Sequence, residues 1–222
     1  MKSKRNKQGS KCMTYTLYGS DGSGSFVVEA ALDMAGADYT KIDVDMSAGA
    51  HQDATFAAIN PMKQVPTLIL PDGAVMTESA AIALHLADAF PGKSLAPELG
   101  TVAHAQFVRW MVFISNNLYE GVLRYFYSDR YTTDDRAEAV DSVKNAAHQH
   151  LQNACGVIEA HLTEHGPWLA GQSMTMADVY FTMLHGWHPD MVDPTMNENL
   201  TTLAQAVRSN TDIGQLLQRH GL

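Results

Sequence analysis

The chain has 222 residues, 45% hydrophobic and 18% charged, with 15 basic against 24 acidic side chains and a formal charge of −9. These proportions fit an ordinary globular protein of one large or two small domains. The acidic balance argues against nucleic acid or an anionic membrane surface as the main partner. No apolar run approaches the roughly 18 residues of a membrane-spanning helix.

Basic residues crowd the start (Lys2, Lys4, Arg5, Lys7, Lys11) without an apolar core of the kind a secretory signal needs. Residues 1–12 therefore read as a disordered basic extension, with Met13 a natural start. Only two cysteines occur, Cys12 and Cys155, too few for a disulfide framework, so the cytosol is the default compartment.

Alternation over 14–18 predicts a first strand. A Gly/Ser stretch follows, and then Phe26, Val27, Ala30, Ala31 and Met34 recur at helical spacing until Gly36 stops the helix. Tyr39, Ile42 and Val44 suggest a second strand. Phe56 and Ile59 fit a short helix ending near Asn60-Pro61. Residues 67–70 and 74–76, separated by Pro71-Asp72-Gly73, read as a hairpin, and a helix is expected over 79–89. The order is βαβαββα, with strands one and two parallel because a helix joins them. Phe90-Pro91-Gly92 to Pro97 is a linker, and everything beyond reads helical. Phe107, Met111, Ile114 and Leu118 line one long helix; Val140 through Leu162 line another, ended by Gly166-Pro167; shorter ones follow Thr175 and cover about 200–207 and 212–219. Thr175-x-x-Asp178 fits a capping box with Asp in the usual Glu place.

The chemistry concentrates at Gln64-Val65-Pro66 and Glu78-Ser79. Proline cannot donate to a sheet ladder, so Val65-Pro66 at the head of a strand predicts a cis bond and a sharp turn. The Val65 N–H and C=O would then be free for an extended partner. A helix N-terminus at Ser79 can hold a carboxylate, and Glu78 can hold an ammonium. A peptide with a free α-amino acid end, such as glutathione, suits both places. His185 and His188 share a helical spacing while His148 and His150 do not, and no carboxylate or thiol set accompanies them, so no metal is expected.

Gln64-Val65-Pro66, Glu78-Ser79, the linker and Thr175-x-x-Asp178 together resemble the glutathione S-transferase family over 14–219. Arg109-Trp110, Leu118-Tyr119-Glu120-Gly121, Ser128-Asp129 and Trp187 are similar to helix residues of the bacterial beta class. The resemblance implies a thioredoxin-like domain over 13–90, an all-helical domain over 98–222, a homodimer, and a transferase that activates the glutathione thiol for attack on a small apolar electrophile. It places Val65 at the cysteinyl part of glutathione and Glu78 and Ser79 at its γ-glutamyl end, with Gln64 beside the path. Ser25 matches the beta-class serine at the start of the first helix. Tyr18, at the end of strand one, and Ser23 are the other candidates to hold the sulfur.

Tyr119, Met111 and Trp187 are the candidate electrophile wall, with Ile114, Tyr125 and Tyr127 nearby. The chain departs from the beta class at Gly24, where that class has cysteine, at Tyr119, where it has histidine, and at Val112, where it tends to have asparagine. These departures leave open a non-catalytic glutathione-binding or regulatory protein of the same fold, or a glutathione-dependent disulfide reductase running on the tripeptide's own sulfur.

Overall fold

A computed structural model describes residues 14–222; the basic extension, Cys12 and Met13 lie outside the described residues. Leu17 and Leu68, both fully buried, pair at the centre of a four-stranded sheet, ordered β2-β1-β3-β4. Strand β1 (Tyr15–Gly19) runs parallel to β2 (Tyr39–Asp43) and antiparallel to β3 (Thr67–Ile69), which pairs with β4 (Val75–Met76). Helices α1 (Ser25–Ala35), α2 (Ala54–Ala57) and α3 (Ser79–Ala89) complete the βαβαββα order that the sequence indicates. Gly36 ends α1 at φ 65°, where its N–H and that of Ala37 return to the Asp33 and Leu32 carbonyls.

The apolar face of α1 (Phe26, Val27, Ala30, Ala31) is fully buried against the sheet and α3. Tyr15 and Leu17 point to that side. Tyr18, one residue out of phase, faces the other way and meets the Phe56 ring of α2, centroids 5.9 Å apart.

The helical layer comprises α4 (Val102–Phe113), α5 (Glu120–Phe126), α6 (Ala137–His165), α7 (Met176–Trp187), α8 (Glu198–Ser209) and α9 (Thr211–Arg219). The long helix expected through Phe107, Met111, Ile114 and Leu118 is interrupted: a π turn, Ile114–Tyr119, joins α4 to α5. Its wider winding rotates the residues beyond it about the axis. Asn117 Nδ2 donates to the Phe113 carbonyl there, at 3.0 Å. Met111 and Ile114 are fully buried in the shared core with Trp110 and Phe181.

Helix α7 starts with the capping box. Thr175 Oγ1 accepts from Ala177 N, and Asp178 accepts from Thr175 N at 2.7 Å and from Leu169 N at 2.9 Å. Thr175→Ala is expected to lower the unfolding free energy in urea by about 1 kcal/mol.

Helix α9 ties the chain's end to α1. Glu29, 1% exposed, receives Lys41 Nζ at 2.7 Å, Arg219 Nη1 at 3.2 Å and His220 Nε2 at 3.1 Å. Asp21, Glu29 and His220 bring potential metal-ligand atoms within 4.8 Å of one another, but Lys41 Nζ already bridges both carboxylates, 2.5 Å from Asp21. The histidines that sequence spacing groups by neighbours pair differently in space: His148 Nδ1 lies 3.3 Å from His188 Nε2.

Candidate functional site

A cavity of about 770 Å³ opens between the sheet domain and the helical layer. Three pieces of the sheet domain form one side: the loop between β1 and α1, the turn before β3, and the N-terminus of α3. The π turn, α5 and the end of α7 form the other.

The turn before β3 is held by one buried side chain. Asn60 Nδ2 donates to the Gln64 carbonyl at 2.8 Å and to Thr67 Oγ1 at 3.0 Å, and its Oδ1 accepts from Met62 N at 3.0 Å. The Val65–Pro66 bond is cis. Among the described residues, the Val65 N–H and C=O have no hydrogen-bond partner, and Gln64, Val65 and Pro66 all line the cavity. This is an open strand edge one residue long.

Thr77, Glu78 and Ser79 border the same cavity. Glu78 precedes α3 with φ 66° and ψ 104°, a conformation that ordinarily costs a non-glycine residue about 1–3 kcal/mol. The first N–H groups of α3 are thus presented beside an exposed carboxylate. Ser79 is nearly buried, with its Oγ 3.3 Å from Tyr180 Oη across the domain boundary.

The loop from Gly19 to Ser25 is closed on itself. Ser25 is fully buried, and its Oγ accepts from Ser20 N at 3.2 Å. Ser23 Oγ lies 2.6 Å from the Ser20 carbonyl and 2.9 Å from Ser25 Oγ, and it accepts from Ser25 N at 3.2 Å. Gly22, at φ 72°, donates its N–H to His220 Nδ1 at 3.2 Å. Since His220 Nδ1 accepts, its proton sits on Nε2, facing Glu29. The end of the chain therefore anchors the loop.

Of the sequence candidates, Ser23, Gln64, Val65, Glu78, Ser79, Tyr119 and Trp187 line the cavity together. Three do not border it. Ser25 sits behind the wall, its oxygen absorbed by the loop. Tyr18 turns to the α2 face because strand side chains alternate. Met111 lies in the helical core, as apolar residues at helical spacing ordinarily do. Tyr125 likewise turns away, stacked on His188 with centroids 4.1 Å apart, while Tyr127 does reach the cavity.

Sequence reasoning missed His51, Met46, Asn60, Ser115, Leu123, Phe126 and Arg130, which also line it. His51 Nδ1 is buried with no partner, and so is Trp187 Nε1. A histidine just ahead of the short α2 was the available signal for the first.

Tyr119 projects from the π turn toward the start of α1. A β-carbon built on Gly24 would lie 2.6 Å from Tyr119 Oη. Its ring packs on Trp187, centroids 5.4 Å apart, and Tyr180, 6.1 Å. Burial first, and the nearby Tyr180, Glu120, Glu78 and Tyr127 after it, push the Tyr119 phenol well above its usual range. It is a donor, not a base, near neutral pH.

A thioredoxin-like sheet domain, an all-helical second layer and, between them, a cleft with a free strand edge beside a helix N-terminus make up the architecture of this chain. Two family descriptions match this chain: "Glutathione S-transferase, N-terminal domain" over residues 13–88 and "Glutathione S-transferase, C-terminal domain" over residues 118–220. The chain belongs to the glutathione S-transferase family. It is similar to glutathione S-transferase GstA of Escherichia coli O157:H7, 28% identical over 208 residues, 93% of this chain and 98% of that protein. The uncharacterized GST-like protein YncG of Escherichia coli K12 is 30% identical over 208 residues, 92% of this chain and 97% of that one. A sphingomonad glutathione S-transferase solved in complex with glutathione superposes with a TM-score of 0.76 at 26% identity, covering 93% of this chain and 99% of that one.

Proposed function

We propose that the protein is a glutathione transferase. The observation that carries this is the unpaired Val65 backbone opening onto the same cavity as Glu78 and the N-terminus of α3. The cysteinyl unit of glutathione adds to Val65 as a one-residue strand. Its γ-glutamyl ammonium meets Glu78, and the adjoining carboxylate meets the Ser79 N–H at the positive end of α3. The glycyl carboxylate runs toward Gln64 and His51, whose Nδ1 otherwise lacks a partner. This pose directs the sulfur to Ser23, Gly24 and the first turn of α1.

A free thiol, pKa about 8.5, is mostly protonated at neutral pH. The first turn of α1 lowers that value by favouring negative charge. The thiol loses its proton to solvent; the thiolate then forms a carbon–sulfur bond with the electrophile while the leaving group departs with its electron pair. Tyr119, Trp187, Leu123, Phe126 and Tyr127 supply an aromatic and aliphatic wall for a flat, apolar electrophile. The family resemblance also implies pairing of two copies, which light scattering checks as twice the chain mass.

Calorimetry is expected to give saturable heat with millimolar glutathione, and an activated aryl chloride is expected to be conjugated. Heat without conjugation supports a second reading, a binding protein without catalysis, which the self-contained hydrogen bonding of Ser23 and Ser25 favours. Absence of heat overturns both. Disulfide reduction would have to run on glutathione's own sulfur, because Gly24 offers no thiol.

A further inference from the structure

We propose that the helical layer holds a second binding site, for an aromatic carboxylate gripped by Arg109 and His161, in a cavity between the start of α4 and the end of α6. The cavity has a volume of about 400 Å³ and shares no lining residue with the cleft. That volume suits a small organic molecule. Its charge sets it apart. The chain carries 24 acidic residues against 15 basic ones, yet among the described residues no carboxylate lines this cavity, while Arg109, His161 and His165 all do.

Arg109 is a cation without a counterion. Its guanidinium lies over the Trp110 ring, 4.1 Å from the centroid, and its one side-chain bond runs from Nη1 to Gln106 Oε1 at 3.3 Å. It has no ion pair among the described residues. Stacking fixes the plane of the fork and leaves its remaining N–H groups for a planar carboxylate. Trp110, fully buried, also meets the His161 ring, centroids 4.8 Å apart, so the two groups share one backing. His161 Nε2 lies 3.0 Å from the Leu169 carbonyl, which can only accept, so the neutral ring keeps its proton there and its lone pair on Nδ1. Nδ1 has no partner among the described residues. The Ala170 N–H is unpaired too, although the residue borders the cavity at 2% exposure. Buried backbone donors are almost always paired, so this one calls for an acceptor from outside the chain. Trp168 and Val102 supply apolar surface for the ligand's rings.

The site takes up a proton with its ligand. Burial first, with the charges of His165 on α6 and Arg109 on α4, holds the His161 imidazole below its usual range, against the Leu169 carbonyl and Glu164, which pull the other way. A bound carboxylate raises it again, and protonated Nδ1 becomes a second donor. Carboxylates stay ionised down to about pH 5. Affinity therefore rises as pH falls through the imidazole range, and Arg109, charged throughout, keeps binding from vanishing above it.

The probe is 2-naphthoate, titrated by calorimetry into the full chain with glutathione saturating the cleft. Saturable heat is expected, and the uncharged amide of the same ring system is expected to bind at least about 10-fold more weakly. The naphthoate Kd is expected to be about threefold lower near pH 5.5 than near pH 8, and the amide Kd to stay flat. Arg109→Gln is expected to raise the naphthoate Kd about 10-fold and to leave the glutathione Kd unchanged. Trp168→Ala is expected to weaken naphthoate by a similar factor. No heat, displacement by glutathione, equal affinity for acid and amide, a flat naphthoate pH profile, or a parent-like Kd in Arg109→Gln overturns the proposal. The amide comparison and the pH profile use the parent protein, so they decide the matter even where a variant folds poorly.

Discussion

At pH 7, Glu29→Gln is expected to lower the unfolding free energy by about 3 kcal/mol. Glu29 is buried in α1, and that burial alone would push its carboxyl up. The hydrogen bonds from His220 and Lys41, with the charges of Lys41 and Arg219, overcome it and hold the group at about 2 instead of 4.5. A lowered acid contributes stability that is complete above its unfolded pKa and disappears as pH falls through the folded one. The window is therefore about 4.5 down to about 2. At roughly 1.4 kcal/mol for each pKa unit, the contribution is the 3 kcal/mol expected. Urea titrations across that window should show the parent losing stability steeply and Glu29→Gln losing it more gently. Parallel curves would mean that the buried contacts contribute nothing net. A second readout follows from the His220–Gly22 bond: the Gly22 amide is expected to exchange its hydrogen faster in the variant, because the charged acceptor that orients His220 becomes a weaker, neutral one.

Glu78→Ala is expected to weaken glutathione binding roughly 10- to 100-fold, since a hydrogen bond to a charged group is worth about 1.5–3 kcal/mol. The carboxylate has no ion-pair partner among the described residues, so its loss removes little from the fold. A glycine at the same position should differ usefully. It accepts φ 66° without strain, so Glu78→Gly is expected to lose affinity like alanine while remaining the more stable of the two. An unaltered Kd in both would remove Glu78 from the binding site.

Much of this was legible because its signals are local. Val65-Pro66, the Pro71-Asp72-Gly73 turn, Gly36 and Thr175-x-x-Asp178 each specify backbone geometry within a few residues, and the bonds they call for are present. The candidates that lie off the cavity do so for equally specific physical reasons. Tyr18 was a question of strand parity, answerable from Leu17, whose burial puts its neighbour on the opposite face. Ser25 and Ser23 are both hydroxyls of one loop, and only the fold distinguishes the wall from what lies behind it. Met111 has the spacing of a core residue and is one. The Glu29–His220 contact spans 191 positions, so no local pattern could announce it. The proximity of Tyr119 to Gly24 depends on the π turn, which regular helical periodicity cannot register.

That turn gives the cleft an unusual kind of adjustability. Each residue of a regular helix advances the winding by about 100° and the axis by about 1.5 Å. Deleting exposed Asn116 would let the segment relax to ordinary winding and screw Tyr119 off its glycine, although every side chain of the pocket would still be encoded. Helical phase, as much as residue identity, decides which chemical group the second domain hands to the first, and a single-codon loss or gain could exchange one for another.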